Sequence, residues 1–403
     1  MIITPYDEFP VHQAARPFSY IPSTDYNWDD GYWFAFMNAK EKMFVGCGAR
    51  VNPNTDMIGG YALVNIAGIQ RTVRFSRCWR RDFSLNVGPF KMEFVEPLKK
   101  IRLVLEENAS EIGFDVVWDA VAPPVLEGEN IAFNRGRRTT EQSRYCQSGK
   151  ASGWLRVGAQ RWSVDHKEWN ALRDRSWGLY TERPPFGPDP KLLPPKESGT
   201  PRAFRFWSVF TAEPFSGTLQ VHEAADGTQG KLDDVFGTPP EGVLQQGYGD
   251  LSARIKTIEH DIEFYPDSRI LRRAALKVGD AEGREWTLDY AFRTPPWMIV
   301  TMGYTPGSWK DGGTFHSYHG SEELALEWDE FDFSRQPVVY KPYNLDPRVN
   351  GGFNANLDFT KPITGIEYLG EVTVTSPSGQ TGRGAGQVEF ILSDKHHRYG
   401  REA

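Results

Sequence analysis

Short apolar or alternating runs, bounded by glycine, proline, asparagine or aspartate, recur along this chain and constrain its fold more than any other feature. Examples are residues 32–37, 42–49, 61–66, 101–106 and 387–392. Runs of this length between turn residues are typical of β-strands. Helical periodicity is limited to two short stretches, residues 11–15 and 321–328. The sequence therefore predicts an all-β fold with mostly antiparallel strands.

A proline-rich segment at residues 183–202 divides the chain into two halves of similar length. Prolines at this density cannot join a central β-ladder and favour an extended spacer. We therefore predict β domains over residues 1–182 and 203–403, joined by this linker. The hairpin-like run at 101–124 has an echo at 273–296, since both read as strand, polar turn, aromatic strand and Pro-Pro stop. The echo favours two similar β units.

Composition narrows the classes of protein to which the chain can belong. Aromatic residues make up 13% of the chain, and they favour pleated surfaces or the wall of an apolar cavity. A formal net charge of −7 gives no electrostatic footprint for nucleic acid. The three cysteines form no close pair, which argues against disulfides and fits a reducing compartment. With neither a signal-peptide pattern nor a membrane-length apolar run, we expect a cytoplasmic protein.

The segment 169–178, Trp-Asn-Ala-Leu-Arg-Asp-Arg-Ser-Trp-Gly, contains the main candidates for chemistry. In an extended strand, neighbouring side chains alternate, so Asp174 shares a face with Leu172 and Ser176. The opposite face holds the flanking cationic and indole side chains, Arg173, Arg175 and Trp177. A carboxyl held apart from its flanking guanidiniums can keep a raised pKa and protonate an apolar substrate. The alternative is that Asp174 pairs with a nearby arginine and only stabilises the fold.

Two neighbouring groups also attract attention. Asp165 and His166 can form an acid/base pair, although a turn before the next strand is the simpler interpretation. Residues 28–33, Trp-Asp-Asp-Gly-Tyr-Trp, join two acids to two indoles and form either a turn or part of a pocket wall. We favour the turn.

The remaining histidines do not predict a metal site. His316 and His319 are three residues apart in a Gly/Ser-rich loop and lack a partner cluster. His396 and His397 lie in a charged C-terminal tail and are interpreted as surface residues.

Residues 153–178, from Gly-Trp-Leu-Arg-Val-Gly to Arg-Asp-Arg-Ser-Trp-Gly, resemble one superfamily in particular. It comprises the lipocalin-like carotenoid 1,2-hydratases (hydroxyneurosporene synthases), AttH-like proteins and certain fungal Diels–Alderases. The Asp-x-x-Trp-Gly segment of that superfamily is matched here by Asp174, Trp177 and Gly178. Stretches at 259–288 and 382–389 resemble the second domain of bacterial relatives.

This resemblance implies two tandem lipocalin-like β-barrels or sandwiches without a metal or an organic cofactor. It also implies a large apolar cavity for a terpenoid, polyketide, steroid-like or aromatic molecule, which a small closed barrel can hold. Members of the superfamily hydrate alkenes or fold a reactive chain for pericyclic closure. We therefore expect a cofactor-free hydratase (lyase) or isomerase/cyclase. The alternative is a non-catalytic carrier of a lipophilic ligand, and a homo-oligomer is compatible with either.

Residue roles follow from these two chemistries. Alkene hydration needs a positioned acid, Asp174, and aromatic rings that stabilise a cation, as Trp177 can. Pericyclic chemistry needs mainly a held conformer and a polar handle for a carbonyl or carboxylate, which the flanking arginines can supply. The predicted substrate-binding set is Arg173, Arg175, Ser176, Trp169, Trp33 and His166. A guanidinium in contact with Asp174 would lower its pKa and weaken it as an acid.

Overall fold

The computed structural model describes residues 8, 21–128, 130–134, 136–180, 202–230, 239–304, 307–334, 338–339, 356–357 and 366–400. Residues 183–201 of the predicted linker and the candidate helix at 11–15 lie outside this part of the chain. The division into two domains therefore stays a prediction. Apart from residue 8, the described residues contain one helical element, a 3-10 turn at Val300–Met302. No described helix has the length and apolar character needed to cross a bilayer.

Twenty-four strands account for most of the described structure. The first twelve are β1 (Trp28–Asn38), β2 (Met43–Asn52), β3 (Met57–Ile66), β4 (Ile69–Cys78), β5 (Phe90–Glu96), β6 (Lys100–Leu105), β7 (Ile112–Ala120), β8 (Val125–Leu126), β9 (Asn130–Asn134), β10 (Arg137–Val157), β11 (Gln160–Val164) and β12 (Asn170–Tyr180). The other twelve are β13 (Phe204–Ala212), β14 (Phe215–Glu223), β15 (Glu241–Gln245), β16 (Ser252–Phe264), β17 (Leu271–Asp280), β18 (Glu285–Ala291), β19 (Trp297–Met298), β20 (Ala325–Asp332), β21 (Val338–Val339), β22 (Asn356–Leu357), β23 (Ile366–Thr375) and β24 (Thr381–Leu392).

The first sheet is a half-barrel in the order β20-β4-β3-β2-β1-β12-β10-β7-β6-β5, with antiparallel neighbours throughout. The long strand β10 also pairs with β8, β9 and β11. Aromatic side chains fill the concave side of this sheet, where Phe36 packs against Phe114 and Trp169. The N-terminal half of the chain therefore supplies all of this sheet except β20.

The second sheet closes on itself as an eight-stranded antiparallel barrel of β13–β18, β23 and β24, because β18 pairs with β23. Along β16 to β18, buried and exposed residues alternate with a period close to two, as expected where one face points inward and the other to water. The inner positions carry large apolar side chains such as Phe206, Trp286 and Tyr290. The all-β, antiparallel fold class is confirmed, and both predicted hairpins are present as β6–β7 and β17–β18.

The half-barrel and the barrel pack face to face. Every residue of β2 and of β13 is buried, because both faces of each strand are covered. Hydrogen bonds also join the two sheets. The Ser148 hydroxyl donates to the Phe210 carbonyl at 2.8 Å, and the Thr211 hydroxyl donates to the Gly149 carbonyl at 3.0 Å. The two sheets therefore share an apolar and hydrogen-bonded core.

Strand β20 corrects one expectation from the sequence. Residues 321–328 were candidates for a helix, but Ala325–Asp332 is a strand that pairs with β4 at the edge of the half-barrel. In this strand Glu327 and Asp329 share a face, and each places a carboxylate oxygen 2.6 Å from Arg74. The buried guanidinium on β4 therefore favours the extended form, since a helix would separate the two acids.

Candidate active site

Strand β12 lies in the middle of the half-barrel, between β1 and β10, and carries the predicted site segment. Alternation along the strand is as expected. Leu172 packs into the core shared with the barrel, together with Cys146 and Trp33. Cys146 and Trp33 are the cross-strand partners of Asp174 on β10 and β1. Asp174 therefore belongs to the face that meets the barrel.

Arg173 and Arg175 lie on the opposite, concave face, and both are buried. Arg173 forms an ion pair with Glu8 and lies 5.3 Å from the Trp118 ring centre. Arg175 pairs with Asp30, with its guanidinium 4.0 Å from the ring centre of Tyr32 and 5.3 Å from that of Trp177. The arginines next to Asp174 in sequence thus make their contacts on the far side of the sheet.

A different arginine reaches Asp174. Arg144 on β10 places Nε 3.5 Å from Asp174 Oδ2 and Nη1 3.8 Å from Glu127 Oε2. Its side chain is only 6% exposed, whereas that of Asp174 is 19% exposed. One buried guanidinium therefore lies between two carboxyl groups. Pairing of Asp174 with a nearby arginine, the alternative considered from the sequence, is observed through Arg144.

Glu127, which the sequence did not single out, is the more deeply buried of the two carboxyls. It follows β8, and its Oε1 accepts hydrogen bonds from Trp207 Nε1 at 3.1 Å and Cys146 Sγ at 3.3 Å. Burial raises the pKa of Glu127 and outweighs the lowering effect of Arg144, while the charge of Asp174 raises the pKa further. A carboxyl with a raised pKa can hold a proton for transfer.

Two cavities meet at Glu127. The larger, of about 820 Å³, lies between residues 123–128 and the strands β14 and β15 of the barrel. The smaller, of about 300 Å³, is lined by Trp28, Trp177 and Gln142 among others. Glu127 lines both. The larger volume is within the range of small-molecule sites in proteins.

The structure separates the residues that the sequence grouped together. Trp177 lines the smaller cavity, and Trp33 lies in the shared core opposite Asp174. Trp169 packs in the concave core of the half-barrel, and His166 is exposed in the turn before β12. Ser176 is buried on β12 beside Gly31. A catalytic or binding role for each of these residues stays a prediction.

A second buried carboxyl lies deeper in the shared core. Glu367 accepts a hydrogen bond from Gln387, whose side-chain oxygen in turn accepts one from Trp33 Nε1 at 2.9 Å. Burial raises the pKa of Glu367 well above its usual value, and the charge of Glu389 on the neighbouring strand adds to the effect. The face between the two sheets is therefore rich in carboxyl groups.

The groups of this site come from parts of the chain that are far apart in sequence. Trp207 is 80 residues from Glu127 along the chain. The one local signal is that Glu127 follows the Pro-Pro stop of the predicted hairpin, a place where a chain leaves a strand. Such a signal indicates a loop but does not predict a buried acid.

A model of a family of unknown function, DUF8625, matches residues 3–336. The chain belongs to this family. The DUF8625 match ends just after β20, so it includes the strand that completes the half-barrel. No curated protein matches the sequence.

Three solved structures are similar to this member of DUF8625 over 92% of its length and 90% of theirs. One is kievitone hydratase from Nectria haematococca, at 11% identity and a TM-score of 0.41. The others are CghA with Sch210972 and CghA alone, each at 8% identity, with TM-scores of 0.44 and 0.43. The roles of individual residues have to come from the geometry of this site.

Proposed function

We propose that this protein is a cofactor-free enzyme that converts a hydrophobic small molecule by proton transfer in the cleft between the half-barrel and the barrel. The observation that carries the proposal is Glu127, a buried carboxyl with a raised pKa that lines two cavities at once. Perturbed acids in clefts are typical of catalytic sites. The substrate classes that we propose are those implied by the resemblance to the lipocalin-like superfamily: terpenoid, polyketide, steroid-like or aromatic compounds.

In the proposed reaction, Glu127 donates its proton to an alkene carbon of the bound substrate. The indole rings of Trp28 and Trp177, in the wall of the smaller cavity, stabilise the resulting cation. Water then adds to the cation and returns a proton to the Glu127 carboxylate, which completes a hydration. Loss of a neighbouring C–H proton to the same carboxylate instead gives an isomerisation.

Asp174 is the second carboxyl of this proposed site. It shares Arg144 with Glu127, so its charge influences how readily Glu127 holds its proton. We propose Asp174 as a positioning residue that holds Arg144 beside Glu127, in place of the role of acid predicted from the sequence. Arg173 and Arg175, predicted from the sequence as handles for a substrate carbonyl or carboxylate, form ion pairs with Glu8 and Asp30 on the far side of the sheet and are not part of this proposed site.

The test measures solvent deuterium in products formed from a panel of terpenoid, polyketide and prenylated aromatic alkenes in D2O. We expect the wild type to place deuterium on carbon. Glu127→Gln, which resembles the protonated carboxyl in shape, should slow the reaction by about 100-fold or more. Its affinity for Nile red, an apolar fluorescent probe of the cleft, should stay within about twofold because the cavity keeps its shape.

Two further variants serve as a control and as a test of the role of Asp174. Glu106→Gln alters an exposed carboxyl that pairs with Lys91 and should leave the rate unchanged. Asp174→Asn should shift the pH dependence of the rate through Arg144. An unchanged rate in Glu127→Gln would rule out this residue as the acid. Tight binding of panel compounds with no product from any of them would support the carrier alternative.

A further inference from the structure

The far end of the barrel has a cluster of histidines around one buried carboxylate. His260 Nε2 lies 2.8 Å from Glu223 Oε1, and His396 Nε2 lies 2.9 Å from Glu223 Oε2. His397 follows in the chain, and its ring is 4.9 Å from that of His396. The sequence interpretation of His396 as a surface residue is wrong, because the segment after β24 folds back over the barrel end and buries it.

Backbone bonds hold this C-terminal segment across the barrel end. Ser393 donates to the Ala203 carbonyl and His397 to the Ala225 carbonyl, each at 2.7 Å. Gly227 leaves room for the His397 imidazole, since a Cβ at this position would lie 2.3 Å from its Nε2. The exposed imidazole of His397 makes no hydrogen bond or ion pair with any described residue. An exposed imidazole thus lies beside a carboxylate and a buried imidazole.

One ligand atom from each of Glu223, His396 and His397 lies within 4.8 Å of the other two. Imidazole nitrogen and carboxylate oxygen are ligands that Zn²⁺ accepts, at bond lengths of about 2.0–2.2 Å. Donor atoms around such an ion are about 3.5 Å apart. His396 Nε2 and Glu223 Oε2, which are 2.9 Å apart, therefore need to separate slightly, while His397 needs to approach them by up to about 1 Å. The exposed side chain of His397 can make this adjustment.

His260 contacts the Glu223 carboxylate at the oxygen that His396 does not contact and can orient it without binding the ion itself. Its Nε2 contacts Glu223, and its Nδ1 lies 3.1 Å from the Tyr399 hydroxyl. Residues that orient metal-binding groups from outside are common in metal sites.

We propose that Glu223, His396 and His397 form a binding site for a divalent transition-metal ion such as Zn²⁺, with a water molecule as the fourth ligand. The ion would connect strand β14 to the C-terminal segment and so fasten that segment to the barrel. This site lies on β14 and the chain end rather than in the cleft, and it is separate from the proposed proton transfer at Glu127.

The test titrates ZnCl2 into tag-free, EDTA-treated full-length protein by isothermal titration calorimetry. We expect one ion per chain, a higher Tm with Zn²⁺, and visible ligand-field absorption when Co²⁺ replaces Zn²⁺. His397→Ala should weaken Zn²⁺ binding at least tenfold and abolish the Co²⁺ absorption. Because His397 is exposed, this variant should keep the Tm of the metal-free wild type.

His166→Ala is the matched control, since it removes another exposed histidine far from Glu223 along the chain. It should leave Zn²⁺ affinity unchanged. His396→Ala should also lose binding, but it removes a buried side chain, so the conclusion depends on His397→Ala. Equal Zn²⁺ affinity in His397→Ala and the wild type, or no binding to the wild type, would overturn the proposal.

Discussion

Glu367 is a carboxyl group that folding moves out of water and places opposite another acid. Its residue is 1% exposed, and Glu389 is its cross-strand partner on β24. Both burial and that neighbour raise the pKa of Glu367. Because the folded pKa exceeds the unfolded one, the folded state binds more protons. The contribution of Glu367 to stability is thus complete below the unfolded pKa and is lost as pH rises toward the folded pKa.

We expect Glu367→Gln to flatten this part of the pH dependence, because glutamine resembles the protonated carboxyl and does not ionise. The urea midpoint of the wild type should fall between pH 5 and pH 8 by more than that of Glu367→Gln. Glu371→Gln is the control, since Glu371 lies on the same strand but its side chain is 35% exposed and pairs with Arg293. Parallel pH curves for wild type and Glu367→Gln would show that Glu367 is not the group responsible.

The sequence predicted the orientation of the site residues better than their partners. Period-two alternation correctly assigned Asp174 and its flanking arginines to opposite faces, because that property depends only on local backbone geometry. It could not identify Arg144 or Glu127, which approach Asp174 from another strand and a loop. The pKa of a buried acid depends on such non-local neighbours, so alternation alone cannot predict it.

The position of strand β20 at the sheet edge depends on one buried arginine that forms ion pairs with it. Arg74 is almost fully buried on β4, contacts Glu327 and Asp329 of β20, and donates to the Thr301 carbonyl at 2.7 Å. The sequence did not predict this strand, because its burial pattern is irregular and its partner strand lies far away along the chain. Strands with one regularly buried face, such as β16, are easier to predict.

Arg74→Leu should detach β20 locally, because it leaves two carboxylates facing each other beside an apolar group. Breaking a buried ion pair costs about 3–5 kcal/mol, which corresponds to an increase of at least about 100-fold in the equilibrium constant for opening of the strand. Hydrogen exchange of peptides that cover β20 measures this effect. Arg71→Leu is the control: its pair with Glu330 is more exposed and should contribute about 1 kcal/mol or less. Equal exchange in both variants would contradict this role of Arg74.

At the scale of the whole molecule, Trp297 connects the two sheets. It lies on β19, which pairs with β23 of the barrel, yet its ring stacks on Phe44 at 4.4 Å and on Trp33 at 5.8 Å. These last two belong to the half-barrel. Trp297 thus belongs to the barrel through the backbone pairing of its strand and to the half-barrel through the packing of its side chain.

We expect Trp297→Ala to cost about 3–5 kcal/mol and to separate the unfolding of the two sheets into two calorimetric transitions. The wild type should unfold in one transition because its sheets share a core. Trp286→Ala provides the comparison, since Trp286 is equally buried but packs on Phe215 inside the barrel. That variant should lose stability without splitting the transition. A single transition in Trp297→Ala would show that other contacts suffice to link the sheets.

The late position of β20 in the chain has a consequence for biosynthesis. Arg71 on β4 and its partner Glu330 on β20 are separated by 259 residues. At about 5–20 residues per second, a ribosome completes β20 roughly 10–50 s after β4. During that interval the nascent chain carries a bare sheet edge, which is a template for pairing with other chains. Chaperones that shield this edge during translation would therefore protect the newly made protein from aggregation.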